Sequence, residues 1–255
     1  MIPVYLFLRS TFFFGRSLAF KAYYRKKSRF RCPLCGYSGP FIDRHASTGT
    51  RESAECPRCS SYERHRLQWL TLAALEQSRD FSRMDVIHFA PEPFLIKQFR
   101  KTFRSYTTAD LEMPRVDHHV DLTRLPFPSA SYDLVFASHI LEHIRDDMAA
   151  IREMRRILRP NGIAILPVPI VGERTIEYTE PNPAEFGHVR APGLDYYDRY
   201  RQVFSDVKVF TSDQFEPAYQ LFVYEDRSHW PTPDMPLRLP SPGIRHSEFV
   251  PVCQV

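Results

Sequence analysis

Residues 132–166 read YDLVFASHILEHIRDDMAAIREMRRILRPNGIAIL, and this stretch decides the fold. Leu134-Val135-Phe136-Ala137 is a short apolar run of the length and bulk of a strand buried on both faces. It ends at Ser138-His139, where polar side chains begin. Asp146-Asp147 then open a helix, since acids in a first turn suit the helix dipole. Met148, Ile151, Met154 and Leu158 recur at helical spacing, with Arg152, Glu153, Arg155 and Arg156 on the other face. Arg159-Pro160-Asn161-Gly162 closes the helix, and Ile163–Leu166 is a second buried strand. Strand, crossover helix and strand make a βαβ unit, so the sheet is parallel here. Ligands of open parallel sheets bind beyond the carboxyl ends of the strands. Topology alone therefore makes Ser138, His139, Glu142 and His143 site candidates.

Outward from this unit, the 255 residues suffice for one α/β domain and a small module. Charge is unevenly divided: residues through Arg66 carry +9 and the remainder −5, for a net +4. A basic front end on a mildly acidic domain suggests an anionic partner there, or only a solvated basic module. Residues 1–31 combine an aromatic, apolar start with a basic flank from Lys21 to Arg31. No run of 18 uncharged residues exists, so a transmembrane helix is not expected. Positive charge follows the apolar run rather than preceding it, which argues against a secretory signal. The expected location is cytoplasmic, with the segment either lying on an anionic membrane surface or packing on the main domain.

Residues 32–66 carry Cys32-Pro33-Leu34-Cys35 and Cys56-Pro57-Arg58-Cys59, a C-x2-C-x20-C-x2-C spacing. Two such turns close a tetrahedral four-cysteine zinc site with no open position, hence a structural one. So small a module needs such a staple. A thioredoxin-like redox pair is the competing reading. Cys253 is left over as an incidental thiol, and His65 is expected at a surface or interface.

The main domain is expected over 85–225, reached through a linking helix at 67–84 whose apolar face runs from Leu67 to Gln77. Asp85–Ala90 is its first strand, Pro91-Glu92-Pro93 a turn and Phe94–Phe103 a helix. Tyr106–Ala109 ends at Asp110, and His119-Val120 ends at Asp121. Beyond Leu166 a polar loop spans 172–192, followed by a helix over 195–204 and closing strands at 207–210 and 219–224. Residues 226–255, with six prolines, read as an irregular tail.

This order of elements, with LPFPSASYDLVFASHILEH and a helix closed by LRPNG, resembles the class I S-adenosylmethionine-dependent methyltransferases of the "type 11" kind. The CPLC…CPRCSSYERHR front end and the HFAPEP turn are similar to a bacterial subgroup with an N-terminal zinc ribbon. The resemblance implies a Rossmann-like, seven-stranded, mostly parallel sheet with helices on both faces and the last strand antiparallel. It also implies S-adenosylmethionine as cofactor. Asp110 would accept hydrogen bonds from the ribose hydroxyls, Asp121 and Leu122 would border the adenine, and Ser138 and His139 would lie near the reactive methyl. For Asp110 and Asp121 the alternative is capping of a turn. The first turn departs from the family's acid and glycine-rich pattern: His88-Phe89-Ala90-Pro91-Glu92-Pro93-Phe94 stands there, and no glycine lies between Gly49 and Gly162. Phe89, Ala90 and Glu92 would contact the cofactor, Glu92 replacing the missing acid at its cationic methionine end.

His139 and His188 are the candidate general bases. Tyr196 and Tyr197 would line the acceptor pocket with Glu142 and His143, and Arg190 would suit a carboxylate or phosphate on the acceptor. His139-x-x-Glu142-His143 also resembles the E-x-x-E-H of methyltransferases that bind a divalent metal, with His139 in place of the first acid. The alternative is that Glu142 and His143 orient the turn. The leading function is methylation of a small-molecule acceptor, a saccharide or a lipid-linked intermediate. An RNA methyltransferase using the basic ribbon, and a catalytically lapsed binding protein, stay open beside it.

Overall fold

Residues 15–46, 49–233 and 235–255 are described by the structure, a computed structural model. In chain order, helix α1 covers residues 15–23. Strands β1 (Phe30–Arg31), β2 (Ser38–Gly39), β3 (Ile42–Ala46) and β4 (Gly49–Glu55) follow, then helix α2 (Glu63–Glu76). Next come β5 (Asp85–Phe89), α3 (Pro93–Thr102), β6 (Ser105–Asp110), β7 (His118–His119) and β8 (Tyr132–Ala137). They lead into α4 (Asp147–Ile157), β9 (Leu158–Ile165), β10 (Ile176–Asn182), β11 (His188–Ala191), α5 (Tyr197–Arg201) and β12 (Asp206–Thr211). The last strands are β13 (Val223–Tyr224), β14 (Arg245–His246) and β15 (Phe249–Gln254). The apolar run at 1–14 lies outside the described residues.

The chain divides into two units. One holds residues 1–73, 211–229 and 242–248; the other holds 74–210, 230–241 and 249–255.

The larger unit is built on a seven-stranded sheet of order β12-β15-β9-β8-β5-β6-β7. β5 to β9 run parallel, and β15 is antiparallel to β9. Leu134 to Ala137 of β8 are fully buried, as expected of a strand covered on both faces. Helix α4 lays Ala150, Ile151, Met154 and Ile157 on the core, each larger side chain contributing about 1.5–3 kcal/mol. Asp146 caps it, accepting from the Ala149 N–H at 3.0 Å. The chain runs outward from β5 through β6 and β7, then returns to pair β8 against the other side of β5. That reversal is the switch point at which ligands of such sheets bind.

Two expectations fail here. Residues 219–224 do not close this sheet, and 226–255 is not an irregular tail. The seventh strand is β15, with Val252 opposite Ile165 and Cys253 opposite Ala164. Pro251 hid it, because a proline within a run argues against a strand. The Cys253 thiol is buried in the core, and burial drives its pKa upward. The expected loop at 172–192 also contains structure: β10 and β11 pair antiparallel, with Glu177 opposite Arg190.

The smaller unit holds β1 and β2, which pair antiparallel, and a sheet of order β14-β13-β4-β3. β13 and β14 come from the segment between β12 and β15, so the main domain is not continuous over 85–225. Arg66 is fully buried there, donating to the carbonyls of Ala54, Ser61 and Gln220 at 2.6–3.0 Å. His65 is buried rather than at a surface, its Nδ1 accepting from the Tyr62 N–H. Helix α2 therefore starts four residues before the expected 67 because 63–66 carry this unit's buried polar groups.

Candidate functional site

Strand register sets the site. Phe89 lies level with Ala109 on one side and Ala137 on the other. Ala90, Asp110 and Ser138 are the next residues of their strands, so three adjacent strands end together. The His139 N–H donates to the Pro167 carbonyl at 2.9 Å and ties the end of β8 to the segment after β9.

In the first turn, Ala90 takes φ +46°, the left-handed conformation that glycine adopts freely and alanine at a cost. The turn thus keeps the glycine-like backbone without the glycine. The buried His88 imidazole donates from Nε2 to the Glu92 carboxylate at 2.8 Å, and its Nδ1 meets the Tyr106 hydroxyl at 3.1 Å. Burial pushes the Glu92 carboxyl up, but the hydrogen bonds from His88 and Ser138 outweigh it and hold it below the usual carboxylate range. Sequence reasoning missed His88, although its spacing four residues before Glu92 was there to read.

Asp110 and Asp121 both form the turn caps given above as their alternative reading. Asp110 Oδ1 accepts from the Glu112 and Met113 N–H groups at 2.8 and 2.7 Å. Asp121 Oδ1 accepts from the Thr123 N–H and hydroxyl, each at 2.8 Å. Both carboxylates are thereby fixed in orientation at the sheet's carboxyl edge. Leu122 is half-buried beside them, against the core.

After β8, His139 also takes a positive φ, +55°. Its Nδ1 lies 3.4 Å from Glu142 Oε1. Glu142 is fully buried, and among the described residues neither carboxylate oxygen has a hydrogen-bond partner. Burial pushes the Glu142 carboxyl up, yet His139 and His188 bring it below its ordinary value. The His143 and His188 rings meet edge to face, with centroids 4.6 Å apart. Burial holds the His143 imidazole below its ordinary pKa, which keeps it neutral near pH 7. Glu142, His143 and His188 each offer a ligand atom within 4.8 Å of the others. Behind His188, Glu185 Oε2 lies 3.6 Å from Nδ1 and accepts from the Tyr178 hydroxyl, while Oε1 accepts from Arg238 Nε. Nothing in the sequence pointed to Arg238, which stands in the proline-rich stretch.

Three expected substrate residues are internal instead. The Arg190 side chain is 2% exposed. It donates to the carbonyls of Leu141, Ile144 and Arg145 at 2.6–2.9 Å and to the Glu177 carboxylate at 3.1 Å. Its fork is spent on bracing the turn that carries Glu142 and His143. Tyr196 is fully buried, donating to Asp147 at 2.5 Å, and Tyr197 is buried in the core. Apolar periodicity cannot tell a pocket-lining tyrosine from a core one.

In the smaller unit, the four cysteine sulfurs lie within 4.8 Å of one another. Cys32 and Cys59 Sγ are 3.5 Å apart and Cys35 and Cys56 Sγ 3.6 Å. A tetrahedral zinc with Zn–S near 2.3 Å sets its sulfurs about 3.8 Å apart, so the donor set fits that ion. Among the described residues no helix is long and apolar enough to cross a membrane.

Residues 74–166 match the family model described as a methyltransferase domain. This stretch is thus similar to methyltransferase domains. The methyltransferase match ends at Leu166, the residue after β9. A probable S-adenosylmethionine-dependent methyltransferase of Mycolicibacterium smegmatis is 40% identical over 57 residues, 22% of either chain. The 27-O-demethylrifamycin SV methyltransferase of Amycolatopsis mediterranei is 40% identical over 63 residues, 25% of this chain and 23% of that one. The chain thus matches less than two thirds of the length of either relative. A solved S-adenosylmethionine-dependent methyltransferase from Mesorhizobium loti aligns with TM-score 0.48 and 11% identity, over 74% of this chain and 98% of that one.

Proposed function

We propose that the protein transfers a methyl group from S-adenosylmethionine to a hydroxyl-bearing small molecule, a saccharide or lipid-linked intermediate. One observation carries the reading: within the methyltransferase domain, three level strand ends bring Glu92, Asp110 and Ser138 to one edge, with Asp121 following β7. Carboxylates there suit a cationic, hydroxyl-rich ligand. Bound S-adenosylmethionine supplies a methyl group already activated for displacement. Asp110 accepts from the vicinal ribose hydroxyls, its carboxylate preset by the Glu112 and Met113 amides. Glu92 faces the ammonium end, and Phe89, Asp121 and Leu122 border the rest. With the cofactor bound, His139 would take the proton from the acceptor hydroxyl as its oxygen bonds the methyl carbon and the methyl–sulfur bond breaks, leaving S-adenosylhomocysteine. The Amycolatopsis relative, named for methylating 27-O-demethylrifamycin SV, agrees with this acceptor class.

Calorimetric titration with S-adenosylmethionine and S-adenosylhomocysteine tests the reading. Micromolar binding to the wild type that Asp110→Ala abolishes is the expected result, and no binding to folded wild type overturns it. In the same reading Cys32, Cys35, Cys56 and Cys59 hold a structural Zn2+. One zinc per chain, lost in Cys56→Ala with rapid proteolysis of the smaller unit, is expected by metal analysis; zinc-free protein resisting protease equally well would refute it.

A further inference from the structure

We infer that helix α1 and the basic segment after it form a docking surface for a bilayer that carries anionic phospholipids. A surface helix of a folded unit normally keeps charged side chains outward and apolar ones inward. Helix α1 is the reverse. Its outward positions are Gly15, Leu18, Ala19, Ala22 and Tyr23, all exposed and none charged. Leu18 is 54% and Tyr23 80% exposed. Polar side chains take the inward positions: Ser17 is buried, and Arg16 donates twice to the Pro57 carbonyl, at 3.0 and 3.1 Å. These bonds pin α1 to the second cysteine turn, so the uncharged face is held outward and cannot roll under.

Charge says what this face meets. The first 42 residues hold eight Lys and Arg and no Asp or Glu. Carboxylates further along the smaller unit neutralise two of them: Lys27 pairs with Asp43 at 2.5 Å and Arg31 with Glu216 at 2.6 Å. Arg25, Lys26 and Arg29, exposed directly after the helix, make no ion pair among the described residues. Tyr23 and Tyr24 meet edge to face between the apolar positions and these cations, with ring centroids 4.7 Å apart. Apolar side chain, then tyrosine, then unpaired cation is the order that a membrane boundary accepts, from acyl chain to headgroup phosphate. Of residues 1–14, just ahead of α1, ten are hydrophobic and Arg9 is the only charged one. Single-stranded RNA would engage the same cations and tyrosines but gains nothing from Leu18 or from that apolar run. No helix among the described residues is long and apolar enough to cross a membrane, so α1 would lie along its surface.

The test is co-sedimentation of the full chain, supplied with zinc, with phosphatidylcholine vesicles prepared with and without phosphatidylserine. Expected is binding to the mixed vesicles only, weakened by added salt. Replacing Arg25, Lys26 and Arg29 together by glutamine should weaken it about 100-fold, a factor of about five per charge. Leu18→Gln leaves every charge in place and should weaken it about tenfold. All four positions are exposed, so near-ultraviolet dichroism should not change in either variant. Wild type that stays in solution with the mixed vesicles, or a Leu18→Gln protein that sediments as well as wild type, overturns the surface. Binding of a single-stranded oligouridylate in place of vesicles overturns it too and assigns the cations to RNA. A dimer that Leu18→Gln dissociates, without vesicle binding, overturns it in favour of a second copy of the chain. Sedimentation is read without cofactor, so its failure leaves the methyltransferase reading standing.

Discussion

Two turns at the carboxyl ends of neighbouring strands, after β5 and after β8, each carry a carboxylate beside a histidine, and they differ in one respect. Glu92 is hydrogen-bonded by His88 at 2.8 Å, with His88 in turn engaged by Tyr106. Glu142 is more deeply buried, and among the described residues neither of its oxygens has a hydrogen-bond partner. The first turn is complete in itself and presents a preset negative charge. The second is held in place from outside, by Arg190 and Asp147, while its own carboxylate stays unsatisfied. Pairing stabilises one; bracing lets the other keep a reactive group that the fold does not consume.

The largest effect is expected from removing the brace. Arg190→Met removes the donor that braces the Leu141, Ile144 and Arg145 carbonyls and breaks the pair with Glu177, and should cost about 3–5 kcal/mol in urea unfolding, although Asp147 keeps Tyr196 and Arg199. Arg190→Lys should recover only part of this, because an ammonium cannot replace the fork. Next, breaking the paired turn by His88→Leu should cost about 3 kcal/mol, since partly buried Glu92 loses its imidazole partner and keeps only Ser138. A variant as stable as wild type would dissolve the contrast between the turns.

Acid should loosen the second turn's support. Burial raises the Glu185 carboxyl, but His188, Arg238 and Tyr178 bring it down to about 2. A folded pKa below the unfolded one stabilises above the unfolded value, near 4.3 for glutamate, and is lost as pH falls towards 2. This amounts to about 3 kcal/mol between those limits. Glu185→Gln should flatten that acid limb, which unfolding as a function of pH would show.

The sharpest comparison is the smallest in size. Glu92→Gln should cost about 2 kcal/mol, because a charge-assisted hydrogen bond weakens. Glu142→Gln should cost less than about 1 kcal/mol, since no hydrogen bond is lost. Equal losses would mean that the two turns are built alike.

Much of the fold could be read in the chain because its signals are local. The buried run 134–137, the capped amphipathic helix behind Asp146 and the paired C-x-x-C turns each announce themselves within a few residues. The family resemblance then implied a seven-stranded sheet and the strand ends where Asp110, Asp121 and Ser138 stand. The misreadings share one cause: they concern partners far apart in sequence. β15 is invisible as a strand until β9 is there to pair with it. Arg190 resembles a substrate arginine until the carbonyls some 45 residues earlier fold against it. Tyr196 and Tyr197 are aromatic residues near a site, and only packing shows that they face the core.

By itself, the sequence determined the parallel βαβ core, the four-cysteine cluster and the site's edge, because periodicity, caps and ligand spacing act over a few bonds. Only the tertiary structure decided which carboxylate is satisfied and which is left open. Hydrogen bonding and burial of a side chain depend on what the rest of the chain brings to it. Glu92 and Glu142 are the same residue type at equivalent ends of adjacent strands, and their surroundings alone make one a finished contact and leave the other's oxygens without a hydrogen bond.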